Sequence, residues 1–160
     1  MNLRVGLGFD VHRLVAGRAC VLGGVRFDHP SGPQGHSDGD AVLHAVTDAL
    51  LGAAGLDDMG TLFSDRDPRW KDADSADLLS AALELVRARD WFVVNVDIVI
   101  ATEGPRIAPM RAAMRARMGA LLGVAPEAIN VKGKTLEGLG ALAHGTGIAV
   151  QAVCLIGKAV

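Results

Sequence analysis

HSDGDAVLHAVTDALLGAA, residues 36 to 54, sets two histidines and three aspartates before and along a run whose apolar residues recur at helical spacing. At about 100° per residue, Val42, Leu43, Val46, Ala49, Leu50 and Ala53 share one side, and Asp40, His44, Thr47 and Asp48 gather opposite. The pattern predicts a helix over about 40–54, with Ser37 or Asp38 as N-cap. Taken alone, the polar side reads as a solvated face. Its surroundings argue otherwise: between Phe27 and Asp65 there are seven aspartates and three histidines but no Lys, Arg or Glu. Solvated helix faces mix long side chains of both signs. Short side chains of one sign point to a missing cation.

Working outward, GFDVH at 8–12 offers Asp10 and His12 two residues apart, so that extended backbone turns both side chains the same way. With His44 they make two imidazoles and one carboxylate, a set suited to zinc with a fourth position open for chemistry. D-x-H alone is a common pattern. Asp48, one turn beyond His44, is a candidate for orienting it, and a solvent-facing role is equally open. Ser37, Asp38 and Gly39 precede the helix where free N–H groups favour phosphate oxygens, with His36 beside them; simple N-capping is the other reading.

Around this centre, LRVGLGF reads as a strand and CVLGGVRF as two short strands about Gly23 and Gly24. HPSGPQG, 29–35, reads as a loop. A second helix over about 76–89 follows Asp74 and Ser75, VVNVDIVIA is a strand, and PMRAAMRARMGALL is a third helix whose Arg111 and Arg115 read as a solvated face. INVKGKT and GIAVQAVCLI are the last strands. Helices alternating with strands predict an α/β (α+β) two-layer sandwich, a mixed sheet with helices on one face. The strand order does not follow from the sequence.

The 160 residues fit a single domain, 1–160, burying roughly 70% of the unfolded surface. With 50% hydrophobic residues, only 4% aromatic and no tyrosine, the core must be aliphatic. Net charge −2 gives no reason to expect nucleic acid or an anionic membrane as partner. Cys20 and Cys154 form no CxxC, and MNLRVGLGFD lacks signal-peptide regions, so a reduced, cytoplasmic setting is expected. Residues 139–157 contain no Asp, Glu, Lys or Arg, yet their glycines and β-branched residues read as a loop and buried strand rather than a membrane span.

The runs GFDVH, HSDGDAVLHAVTDALLGAAGLDDMG, LFSDRDPRWKDADS and NVDIVI, in this order and spacing, resemble the 2-C-methyl-D-erythritol 2,4-cyclodiphosphate synthases of the non-mevalonate isoprenoid pathway, over nearly the whole chain. The resemblance implies a chorismate-mutase-like fold and a homotrimer with active sites between subunits. It also implies cyclisation of 4-diphosphocytidyl-2-C-methyl-D-erythritol 2-phosphate to 2-C-methyl-D-erythritol 2,4-cyclodiphosphate with release of CMP. By the same resemblance Asp10, His12 and His44 are ligands of zinc or another divalent transition metal, and His36 and Ser37 contact phosphate. Asp58, Met59, Gly60, Phe63, Ser64, Asp65, Arg66 and Asp67 hold the methylerythritol portion, although Asp and Gly in DDMG and SDRD also suit turns. Thr102, Glu103, Gly104, Pro105, Arg106, Ile107 and Ala108 form the cytidine pocket.

Near the C-terminus, KTLEGLGALAHGTG departs from the family's usual TTTEKLGFTGRGEG. Thr135 and Glu137 keep their places, for a phosphate-contacting hydroxyl beside Leu136 and a carboxylate near a magnesium or manganese ion. Lys134 stands where threonine is common, and Ala141 and His144 where Phe and Arg are usual, so Lys134 is a candidate for the charge missing at His144. Two other classes stay open on the residues: a non-catalytic zinc or phosphate-ligand binding protein, whose zinc would be closed by a fourth protein ligand, and a metal-dependent phosphohydrolase.

Overall fold

Alternation in RVGLGF, residues 4–9, puts Gly6 and Gly8 on one face of the first strand and Val5, Leu7 and Phe9 on the other. The computed structural model describes residues 2–64, 67–70 and 73–158. In chain order its elements are β1 (Asn2–Ala16), β2 (Cys20–Leu22), β3 (Val25–Phe27), β4 (Ser31–Pro33), α1 (Ala41–Ala54), α2 (Met59–Leu62), α3 (Ser75–Arg87), β5 (Phe92–Thr102), α4 (Arg111–Leu122), β6 (Ile129–Lys134) and β7 (Gly147–Lys158). α1 lies across the glycine face of β1. A Cβ on Gly6 would overlap the Ala49 carbonyl, and one on Gly8 the Ala45 carbonyl. Glycine on the strand and alanine on the helix therefore set this close approach.

The main sheet has the order β4-β1-β7-β5-β6. β7 is antiparallel to both β1 and β5, while β6 runs parallel to β5. Val96, Ile98 and Ile100 of β5, with Ile148, Val150, Ala152, Cys154 and Ile156 of β7, are buried in one core with α1, α3 and α4. Opposite them Leu3, Val5, Leu7, Phe9 and Val11 of β1, with Val153 of β7, remain exposed. The mixed sheet with helices over one face is the layering expected from the sequence.

α1 presents no solvated polar face, as the one-sign charge pattern implies: eleven of its fourteen residues are buried, Thr47 among them, with its hydroxyl donating to the Leu43 carbonyl. Two details differ from expectation, the first of them in α1. Its N-cap is Asp40 rather than Ser37 or Asp38, and the Asp40 carboxylate accepts from the N–H groups of Val42 and Leu43. The stretch read as a loop contains β4, which pairs with Leu14–Ala16; three residues with a proline carry too little periodicity to show as a strand. The hairpin at Gly23 and Gly24 matches its pattern, both residues having positive φ as a two-residue turn requires.

Candidate active site

The extended backbone of β1 turns Asp10 and His12 to the same side, and the second turn of α1 brings His44 against them. Asp10 Oδ2 lies 2.8 Å from His12 Nε2 and 3.0 Å from His44 Nδ1, and the two ring nitrogens are 3.3 Å apart. Each nitrogen's state follows from its ring's other contact. His12 Nδ1 is 2.5 Å from the Gln34 carbonyl, which only accepts, so that nitrogen carries the proton and Nε2 the lone pair. His44 Nε2 is 2.8 Å from Ser75 Oγ, whose own hydrogen is donated to the Asp38 carboxylate. His44 Nε2 is then the N–H donor, and Nδ1 has the lone pair. Three lone-pair atoms thus converge on one point, and neutral imidazoles offer no hydrogen there.

Only an added cation satisfies all three: protons on the imidazoles, or a metal ion. Bonds of about 2.0–2.1 Å to zinc place tetrahedral ligands roughly 3.3 Å apart, close to the observed separations, so the residues fit the metal. No fourth His, Cys, Asp or Glu atom joins the group among the described residues. Cys20 and Cys154 are buried free thiols of the core, with burial pushing both up to about 11. Burial works to raise the Asp10 carboxyl, but hydrogen bonds and charge from the two histidines hold it well below the usual carboxylate range. His12 is shifted upward: burial opposes this, and the bond to Asp10 and its charge prevail.

A cavity of about 430 Å³ opens beside these atoms. His36 and Ser37 share the wall with the Asp10, His12 and His44 cluster, while Met59, Gly60, Phe63 and Trp70 face it. Ser37 is buried and its hydroxyl is already engaged, lying 3.1 Å from His44 Nε2 and accepting the Gly39 N–H. His36 has no hydrogen-bond partner among the described residues, leaving its ring available to a ligand. Because Asp40 already takes the Val42 and Leu43 N–H groups, the start of α1 is not the open anion site that its sequence presents. Asp48 does not orient His44; it accepts the Met59 N–H at 2.7 Å and anchors α2 at the cavity rim.

Asp58 caps α2 by accepting the Thr61 N–H, and Asp67 is paired with Arg69. Neither lines the cavity, nor does Ser64. Asp65 and Arg66 lie outside the described residues. A second cavity, of about 180 Å³, is lined by Thr102, Glu103, Pro105, Arg106, Ile107 and Ala108 from the segment after β5, and also by Lys134 and Thr135. Arg111 of α4 completes its cationic side, and none of Arg106, Arg111 and Lys134 has an ion-pair partner among the described residues. The Leu136 N–H donates to Glu103 Oε1 at 2.9 Å and ties the two loops together. Thr135 donates to Glu137 at 2.7 Å. His144 lines neither cavity, and the two share no residue.

The sequence carried weaker signals for other residues that build the site. Trp70 stacks edge-on against Phe63 at 5.2 Å, and Ser75 reads only as a helix start. Gln34 contributes through its backbone, so its side-chain identity leaves no trace.

Comparison with known proteins agrees with this geometry. The YgbB family model matches residues 3–157. The 2-C-methyl-D-erythritol 2,4-cyclodiphosphate synthase of Dechloromonas aromatica strain RCB is 53% identical over 156 residues, 98% of each chain. A solved CDP-bound form of a synthase of the same name superposes with TM-score 0.89 at 39% identity, covering 96% of this chain and all of that one. The bifunctional IspDF of Campylobacter jejuni gives TM-score 0.93 at 37% identity over 97% of this chain, which spans 42% of that longer protein. With its fold, its converging Asp10, His12 and His44, and a family match over nearly its full length, this chain belongs to the YgbB family.

Proposed function

We propose that the chain is the cyclodiphosphate synthase of the non-mevalonate isoprenoid pathway, converting 4-diphosphocytidyl-2-C-methyl-D-erythritol 2-phosphate to the 2,4-cyclodiphosphate and CMP. The observation that carries this reading is the three-ligand cluster with an open side on a cavity, in a chain 53% identical to a named synthase. In the reaction an oxygen of the substrate's 2-phosphate attacks the β-phosphorus, and the bond to the α-phosphate oxygen breaks to release CMP. Nucleophile and electrophile belong to one molecule, so the protein's work is positioning and charge stabilisation.

Asp10, His12 and His44 hold zinc or another divalent transition metal in this reading, and Glu137 supports a magnesium or manganese ion. When bound, such ions neutralise diphosphate charge and polarise phosphoryl oxygens. His36 meets the phosphate from the cavity wall, where its ring has no competing partner among the described residues. Because the Ser37 hydroxyl is engaged inward, its phosphate contact is assigned to the backbone N–H. Met59, Gly60 and Phe63 enclose the methylerythritol portion, the 102–108 segment takes the cytidine, and Lys134 and Thr135 stand at the phosphate side of that pocket.

The working unit is a homotrimer of chorismate-mutase-like subunits with active sites between them. Its support is the exposed apolar row Leu3, Val5, Leu7, Phe9 and Val11, together with the separation of the metal-side and nucleotide-side cavities within one chain. The chain, 1–160, acts as one domain in the cytoplasm, a reading supported by its single core and unbridged cysteines. Incubation with the diphosphocytidyl substrate and divalent metal is expected to yield cyclic diphosphate and CMP in equal amounts. Hydrolysis products would favour a phosphohydrolase, and no turnover a binding protein; either result overturns the synthase assignment.

A further inference from the structure

We propose that Ser75 and Asp38 act as positioning residues that hold His44 in its Nε2–H tautomer and so keep the Nδ1 lone pair facing the metal position. This rests on the metal-site reading above, and neither residue is part of the ligand cluster. Ser75 opens α3 and is almost fully buried, at 1% exposure. Its hydroxyl donates to Asp38 Oδ1 and its backbone N–H to Asp38 Oδ2 at 3.2 Å. A carboxylate can only accept, so the direction of the first bond is fixed. The Ser75 oxygen therefore turns a lone pair toward His44 Nε2, 2.8 Å away.

The opposite tautomer would set the Nε2 lone pair against the Ser75 oxygen, with only the longer Ser37 hydroxyl contact, 3.1 Å, to donate to it, and would put a hydrogen where the metal belongs. Asp38 is itself braced: its N–H donates to the Ala73 carbonyl at 3.2 Å, and its Oδ1 accepts the Asp40 N–H at 3.1 Å. The turn before α1 and the start of α3 are thereby joined through a metal ligand. Trp70, in the short helical turn 68–70 upstream of Ser75, lines the same cavity. Asp48 accepts from Met59 and makes no hydrogen bond with His44.

The test uses the full-length protein. In metal-free wild type at about pH 8.5, where imidazoles are largely neutral, nitrogen–proton correlation spectra are expected to show His44 as the Nε2–H tautomer. Competition with a chromophoric chelator is expected to show Ser75→Ala binding zinc about 10–100-fold more weakly than wild type, the usual loss for a partner that orients a ligand. Ser75→Thr, which keeps the hydroxyl, is expected to bind zinc more tightly than Ser75→Ala. An Nδ1–H tautomer in wild type overturns the proposal, as does a folded Ser75→Ala protein with undiminished affinity. The tautomer measurement decides even if the variants fail to fold. A wild-type protein that binds no zinc overturns the site reading itself, a result distinct from the other two.

Discussion

His44 is the side chain on which two accounts of α1 diverge. It is one of the few residues of a nearly buried helix that reaches a cavity, with Nε2 held by Ser75 and Nδ1 turned toward Asp10. His44→Ala is expected to keep the fold, since the ring borders a cavity rather than filling the core, and to lose zinc and CMP release together. Full activity in the metal-free variant would refute the ligand assignment. The upward shift of His12 gives a pH signature with a definite sign. In the metal-free chain its stabilising contribution is complete below the ordinary value of 6.5 and is lost as pH rises through the higher folded value. Zinc must displace that proton, so metal affinity weakens as pH falls through the same range. The melting-temperature gap between zinc-loaded and stripped protein is therefore expected to widen from about pH 5.5 to about pH 8; a constant or narrowing gap contradicts it. Lys134→Ala tests the charge missing at His144: KM for the diphosphocytidyl substrate is expected to rise with zinc affinity unchanged, and unaltered kinetics would end that compensation.

At the scale of elements, Asp40 joins α1 to the β2–β3 hairpin. Its carboxylate accepts from Gly23 at 2.8 Å and Gly24 at 2.6 Å as well as from the first turn of the helix. Burial pushes this carboxyl up to about 6 against the bonds from Gly24, Gly23 and Leu43, so ionisation at neutral pH costs roughly 3 kcal/mol at about 1.4 kcal/mol per pH unit. Removing it strands four donors at about 1–3 kcal/mol each, a loss larger than the relief. Asp40→Ala is expected to be destabilised by at least roughly 1 kcal/mol, lowering Tm by about 2 °C or more for a chain of this size. A raised folded pKa stabilises below the unfolded value and loses that contribution as pH rises through about 6, so the gap to wild type is expected to grow on acidification from pH 7 to 5. Thermal melts of both proteins at the two pH values check size and sign. Such a residue shows what the sequence makes legible. Spacing revealed the helix and the Asp10, His12 and His44 set, because period and charge exclusion are local. Periodicity alone reads the polar side of α1 as solvated, because it reports moment, not burial; the one-sign charge pattern overrides that reading, and a helix between a sheet and α3 can bury its polar side on specific partners. Asp40 in particular bonds to glycines seventeen and sixteen positions away, and backbone donors leave no mark in composition.

For the whole molecule, the question is what covers the sheet face that the helices leave open. Leu7 is 58% and Phe9 60% exposed there, and Val5 reaches 67%. Contiguous apolar surface of this kind marks association sites on soluble proteins, and the cavity beside Asp10, His12 and His44 shares no described residue with the one lined by Arg106, Arg111 and Lys134. In the proposed homotrimer, three copies packed through this face would bury the row. Leu7→Glu separates this assembly from the fold of the subunit. In an isolated chain the substitution places a charge at an exposed position, where surface changes stay within about 0.5 kcal/mol. In a symmetric trimer it sets three like charges close together in a low-dielectric interface, where each costs several kcal/mol to bury. Light scattering is expected to find wild type at three times the chain mass and Leu7→Glu at one. The variant should keep a cooperative melt and bind zinc, because the Asp10, His12 and His44 cluster belongs to a single chain, yet form no CMP at concentrations where wild type turns over. A monomeric wild type, or a monomeric Leu7→Glu protein with full turnover, would place the complete active site within one subunit.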